Sequence, residues 1–173
     1  MRIKTELILA ISLVLSLSAC ARTIKLETTF DPAQAAYINT KGKATINGQA
    51  FLRRNDGVVV YAAGSSVSLI PATTYAVERI GALYGAGKQV QVILPPKIEG
   101  DDPQYRTFTR TSKANGEGRF TFAEVAPGNY FMTTSVQWCV PGAYGSCITQ
   151  GGSLMENITI TGSERAEVIM NGQ

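Results

Sequence analysis

The sequence predicts an all-β fold, a seven- to eight-stranded β-sandwich carrying one short helix. Three observations lead there. From residue 44 onward, apolar residues recur at alternate positions in short runs, each bounded by Gly, Asn or Pro. Charged residues make up only 17% of the chain, while Gly, Thr, Val and Tyr are plentiful, a composition that leans toward strands. Only one stretch has helical spacing, and it is short.

Taken in order, residues 45–52 place Ile46, Ala50 and Leu52 on one face and end at the turn Asn55-Asp56-Gly57. Residues 58–61 form a β-rich run, and a turn at Ala63-Gly64-Ser65-Ser66 leads into residues 67–70. Residues 73–84 are the exception: Tyr75, Val77, Ile80, Leu83 and Tyr84 share a helical face, with Thr73 or Thr74 as the cap. Residues 89–94 read as another apolar run, which stops at Pro95-Pro96. Residues 107–114 run into Asn115-Gly116, the strongest hairpin signal in the chain, with residues 119–122 as the return strand. After Pro127-Gly128, residues 130–138 put Tyr130, Met132, Thr134, Val136 and Trp138 on one face, so Trp138 reads as core. Residues 156–161 and 165–170 close the domain as a hairpin around Gly162-Ser163.

The first twenty residues carry an address. Arg2 and Lys4 precede an apolar stretch over residues 7–15, too short to span a membrane comfortably. Leu17-Ser18-Ala19-Cys20 follows, and this ending resembles the bacterial lipobox. The resemblance implies cleavage before Cys20, a diacylglycerol thioether on its sulfur, and a further acyl chain such as palmitate on the new amine. The expected organisation is a signal peptide (1–19), a lipidated tether (20–43) and a sandwich domain (44–173) with an insertion at 71–105. Within the tether, Asp31 and Pro32 suit the cap and first turn of a short helix. Fully extended, the tether would reach as much as ~75 Å. Ala21, rather than Asp, follows the cysteine, as in lipoproteins sorted to the outer membrane. The lipid bilayer is therefore an expected partner through acylated Cys20. The expected location is the outer membrane facing the periplasm, with the cell surface as the alternative.

Cleavage there would remove Arg2, Lys4 and Glu6 from 16 basic and 13 acidic residues, leaving 14 and 12, a net charge of +2. With no basic run longer than Arg53-Arg54, nucleic acid is not an expected partner. Two cysteines remain, Cys139 and Cys147, and an even pair in an exported chain suggests a disulfide, with two free thiols as the alternative. The small loop it closes would contribute about 2.5 kcal/mol by chain entropy.

The strand pattern resembles the carboxypeptidase regulatory-like domains, relatives of transthyretin. The matching residues are Ile46-Asn47-Gly48-Gln49-Ala50, Ala63 to Leu69, Thr111 with Asn115 to Phe122, and Val125-Ala126-Pro127-Gly128-Asn129-Tyr130. The resemblance covers about residues 44–138. It implies a transthyretin-like sandwich used for structure or binding rather than peptidase chemistry. It also implies a short connection where this chain inserts 71–105, and so long an excursion in a compact domain is often functional. That insertion is expected to be separable from the sandwich.

The chain contains no histidine, which removes Ser-His-Asp and Cys-His nucleophiles, His-ligated zinc and the commonest general base. No catalytic residue, cofactor or metal is expected. Gly85-Ala86-Gly87-Lys88 lacks the earlier glycine and the following Ser or Thr of a phosphate loop. Glu99-Gly100-Asp101-Asp102 reads as a solvated turn in preference to a calcium site. Candidate binding residues are the aromatics Tyr144, Tyr84 and Tyr105, with Tyr144 favoured because it sits in the Cys139–Cys147 loop among glycines. Two functions remain. The first is a non-catalytic structural or protein-interaction module of the envelope, docking a protein partner through the insertion or a strand edge. The alternative is a module that binds glycan or peptidoglycan. An enzyme is a distant third.

Overall fold

The computed structural model describes residues 23–91 and 96–173; the leader and Cys20 lie outside them. In chain order the strands are β1 (Thr23–Lys25), β2 (Ala44–Arg53), β3 (Val59–Tyr61), β4 (Ser66–Pro71), β5 (Gln89–Gln91), β6 (Lys97–Glu99), β7 (Arg110–Lys113), β8 (Arg119–Val125), β9 (Gly128–Pro141), β10 (Cys147–Ile160) and β11 (Arg165–Met170). The helices are α1 (Pro32–Ala35), α2 (Thr74–Tyr84) and α3 (Gln104–Thr107).

Alternation of apolar residues builds two facing sheets. One has the order β5-β10-β9-β4-β7, antiparallel throughout. The other is centred on β2, with β11 parallel on one side and β8 and β3 antiparallel to successive parts of it. Every second residue of β2 is buried, from Ala44 to Leu52. Their partners across the sandwich are Leu69 of β4, Met132 and Val136 of β9 and Leu154 of β10. The all-β sandwich with a short helix is therefore the fold. Tyr130 enters this core after a corner, and its hydroxyl donates to the Ala126 carbonyl at 2.8 Å.

Two expected hairpins are sheet-switching corners instead. β7 pairs with β4 and β8 with β2, so the Asn115 turn steps from one sheet to the other. Asn115 Oδ1 accepts from the N–H groups of Glu117 and Arg119, and the left-handed φ falls on Gly118 (71°) rather than on Gly116. The Gly162-Ser163 turn likewise connects β10 in one sheet to β11 in the other. Asn-Gly and Gly-Ser dictate a tight reversal. Which free edge receives the returning strand depends on tertiary packing, which the dipeptide does not encode.

The largest departure concerns residues 20–43. From Thr23 onward they are no tether but part of the fold. β1 pairs in parallel with β6. Asp31 caps α1 by accepting from the Ala33 N–H, as expected. Tyr37 donates to the Asn129 carbonyl at 2.5 Å and accepts from the Ala72 N–H at 3.1 Å. Glu78 of α2 accepts from the N–H groups of Glu27 and Thr28 and from the Thr28 hydroxyl, which holds its carboxyl below the usual range.

These contacts serve a second apolar cluster: Phe30, Ala35, Ile70, Tyr75, Ala76 and Tyr105. Ile70 faces Phe131 across β4 and β9, on the side opposite Leu69 and Met132, so the cluster covers the outer face of that sheet. Thr73 caps α2, its hydroxyl accepting from the Ala76 N–H. The insertion and the N-terminal segment thus need one another. Insertion 71–105 is not a separable excursion, because it buries surface that the sandwich leaves bare.

The acidic turn is anchored here too. Arg79 grips Asp101 through two hydrogen bonds of 3.0 and 2.9 Å, and Tyr75 donates to the same carboxylate at 2.7 Å. The Arg79 guanidinium also lies 4.8 Å from the centre of the Tyr105 ring. Burial alone would raise the Asp101 carboxyl. The bonds from Arg79 and Tyr75, with the charges of Arg79 and Arg106, outweigh it and hold the group below its ordinary value. Its ionised form therefore stabilises the fold above an unfolded-chain pKa of about 4, and that contribution is lost as pH falls through the lower folded value. Asp101→Asn should cost about 2 kcal/mol at neutral pH. It should also flatten the acid limb of stability in urea titrations run from neutral pH downward; an unchanged acid limb would show that Asp101 does not carry it.

Candidate functional site

The expected binding residues scatter. Tyr105 is buried at 6% exposure inside the second cluster, and its phenol is pushed up to about 12 by that burial. Tyr84 is half-buried, its hydroxyl directed to the Leu154 carbonyl at 3.4 Å, and burial likewise pushes it up to about 12. Helical spacing and an aromatic side chain look alike for a contact surface and for a core; Tyr105 belongs to the second cluster, whereas Tyr84 is half-buried outside both clusters. Tyr144 is fully exposed, at φ 56° and ψ 30°. It sits at the tip of the β9–β10 hairpin, where Cys139 and Cys147 are disulfide-bonded with their Cα atoms 5.4 Å apart. The register puts Cys139 opposite Thr149 and Cys147 opposite Pro141, so the bridge crosses the ladder diagonally.

A different site emerges at the base of that hairpin. β9 and β10 pair along their whole length, but β4 leaves β9 at Thr133. The hairpin therefore runs on beyond β4. The inward-facing series Tyr130, Met132, Thr134 and Val136 continues to Trp138 and Val140. At that end the sandwich core runs out: Val136 is fully buried, whereas Trp138 and Val140 are only partly so. They line an open groove of about 370 Å³ instead. Trp138 is thus packed against the core on one side, as its strand face implied, and lines the groove on the other.

Each wall has a local cause. β10 supplies Thr149, Gln150 and Gly151, with Gln150 directly opposite Trp138. Gly151 lies at φ 109°, and a Cβ there would come within 2.1 Å of the Val136 carbonyl oxygen, so this bend requires glycine. β5 adds Gln89 and Gln91, whose register opposite Leu154 and Gly152 puts them on the same inward face. The end of β2 and the turn after it add Arg53, Arg54, Asn55 and Asp56. Arg54 pairs with Asp56 at 2.8 Å, and Arg53 donates to the Gly57 carbonyl at 3.1 Å.

The groove is therefore lined by one large aromatic residue, four carboxamide residues, a threonine, two arginines and an aspartate. Carboxamides both donate and accept, and an indole offers an apolar face with one N–H. That mixture suits a ligand whose surface alternates hydroxyls with apolar ring faces. Among the described residues there is no group of three or more metal-ligating side chains. Sequence reasoning missed this site because Trp138 ends an apolar strand face. The usable signal was the polar Gln89 and Gln91 at alternate positions of a strand.

No family model matches the chain, and no curated protein matches it. A solved structure from Pseudomonas aeruginosa, described as a "putative carbohydrate binding protein", superposes with a TM-score of 0.68 at 24% identity. The match covers 83% of this chain and 98% of that one. At this identity the likeness shows a shared fold.

Proposed function

We propose that this chain is a non-catalytic glycan-binding module of the bacterial cell envelope, held to a membrane by lipid on Cys20, with the Trp138 groove as its binding site. One observation carries the reading: the only tryptophan of the chain stands at the margin of the core and lines an open groove together with Asn, Gln, Arg and Thr residues. The description of the Pseudomonas aeruginosa protein of like fold points the same way. The groove displaces Tyr84 and Tyr105 as contact residues. It also takes precedence over protein docking through the insertion, where Tyr75, Ala76, Ile80 and Tyr105 are buried and Val77 is exposed. The absence of histidine from the sequence supports binding without turnover.

Because the chain has a single tryptophan, its fluorescence reports on the groove alone. Titration with chitobiose, a GlcNAc–MurNAc disaccharide, methyl glucoside and methyl glucuronide should give a saturable change for at least one of them. No change with any of the four would overturn the reading. The anchor is tested separately. Cys20→Ala should leave the protein unacylated by intact mass and move it from the membrane to the soluble fraction, since two or more acyl chains anchor far more firmly than one. An unmodified wild-type Cys20 would remove the lipid from the proposal.

A further inference from the structure

We propose that the groove selects sugars that carry a carboxylate, and that Arg53 is the residue that reads it. This rests on the glycan reading above and adds the ligand class. Three charged residues line the groove: Arg53, Arg54 and Asp56. The single carboxylate is already matched, with Asp56 2.8 Å from Arg54 and also accepting from the Val58 N–H. Arg53 has one neutral partner, the Gly57 carbonyl, reached by one Nη1 hydrogen bond. Among the described residues no carboxylate lies within ion-pair distance of it. A guanidinium carries five N–H donors in a planar fork, so four remain for a ligand. The groove is left with one uncompensated positive charge beside an indole and the carboxamides of Gln89, Gln91 and Gln150.

That pairing has a chemical counterpart. A planar carboxylate on a sugar ring meets the fork through two parallel hydrogen bonds, while the ring's apolar face meets the indole. Uronic acids and the lactyl ether of muramic acid both present such a group. A neutral sugar of the same size would satisfy the carboxamides and leave Arg53 without its partner.

Matched pairs isolate the carboxylate. The GlcNAc–MurNAc disaccharide differs from chitobiose chiefly by a lactyl ether, and methyl glucuronide from methyl glucoside by oxidation of one carbon. The wild-type protein should bind the acidic member of at least one pair tenfold or more tighter, because charge-assisted bonds of this kind are worth about 10- to 100-fold. Arg53→Gln should erase the preference by weakening the acidic member about tenfold or more, and the variant should stay folded, since Arg53 is exposed and outside both cores. Asp56→Asn should strengthen acid binding by removing the competing carboxylate. Equal affinity within both pairs would overturn the inference and leave the glycan reading standing. A preference that survives Arg53→Gln would overturn the role given to Arg53, and silence with all four sugars would overturn both readings.

Discussion

Trp138→Ala should weaken glycan binding about 30-fold or more, the scale expected when a large aromatic is removed from the centre of a contact surface. The variant should still fold. Trp138 is only partly buried and lies at the margin of the main cluster, so truncation should cost about 1–2 kcal/mol of stability. The two effects can be separated. Trp138→Phe keeps an aromatic face but loses the indole N–H and some area, and should retain binding between wild type and Ala. Because both variants lack the fluorophore, the measurement is calorimetric, or follows amide shifts of Gln150 and Gly151 on β10. A Trp138→Ala protein that binds like the wild type would place the site elsewhere, and the exposed Tyr144 at the hairpin tip would be the next residue to replace. Loss of binding together with loss of fold in both variants would return Trp138 to the core.

The groove was not the surface the sequence pointed to, for a physical reason that also explains what was legible. Period-2 alternation reports which face of a strand points inward, and it did so for β2 and for β9 from Tyr130 to Val136. It cannot report where the opposite sheet stops. Trp138 has the right parity for the core, but β4 no longer accompanies β9 at that point, so the same parity delivers it to a groove. Asp31 and Thr73 were legible as caps because capping is local, involving neighbours two or three residues away. The Cys139–Cys147 pair was legible by counting. The anchoring of Asp101 by Arg79 and of residues 27–28 by Glu78 was not, since those partners lie 22 and about 50 positions apart. Alternating polar and apolar residues before Asp31 looked like a tether. They are a segment with one buried side, and the surface that buries them is made by the insertion.

That mutual dependence makes Phe30 the most consequential residue of the N-terminal segment. It is 9% exposed and meets three aromatic rings, with centroid distances of 5.7 Å to Tyr75, 6.1 Å to Tyr105 and 5.6 Å to Phe108. These rings come from α2, α3 and the residue after α3, so Phe30 ties the first described segment to the insertion. Phe30→Ala should cost about 3–4 kcal/mol, the loss for emptying an aromatic site in a packed cluster. In a domain of this size that corresponds to a fall in Tm of roughly 10 °C. Urea unfolding followed by far-UV circular dichroism measures the first quantity and a thermal scan the second. Hydrogen exchange adds location: amides of β1 and α1 should lose protection before those of β2 and β9, because the main cluster does not contain Phe30. Replacing residues 72–104 by a Gly-Ser linker should produce the same pattern more severely, since it removes Tyr75, Ala76 and Tyr105 together. A cost below about 1 kcal/mol for Phe30→Ala, within the range of ordinary surface changes, would mean that residues 23–43 are a tether after all.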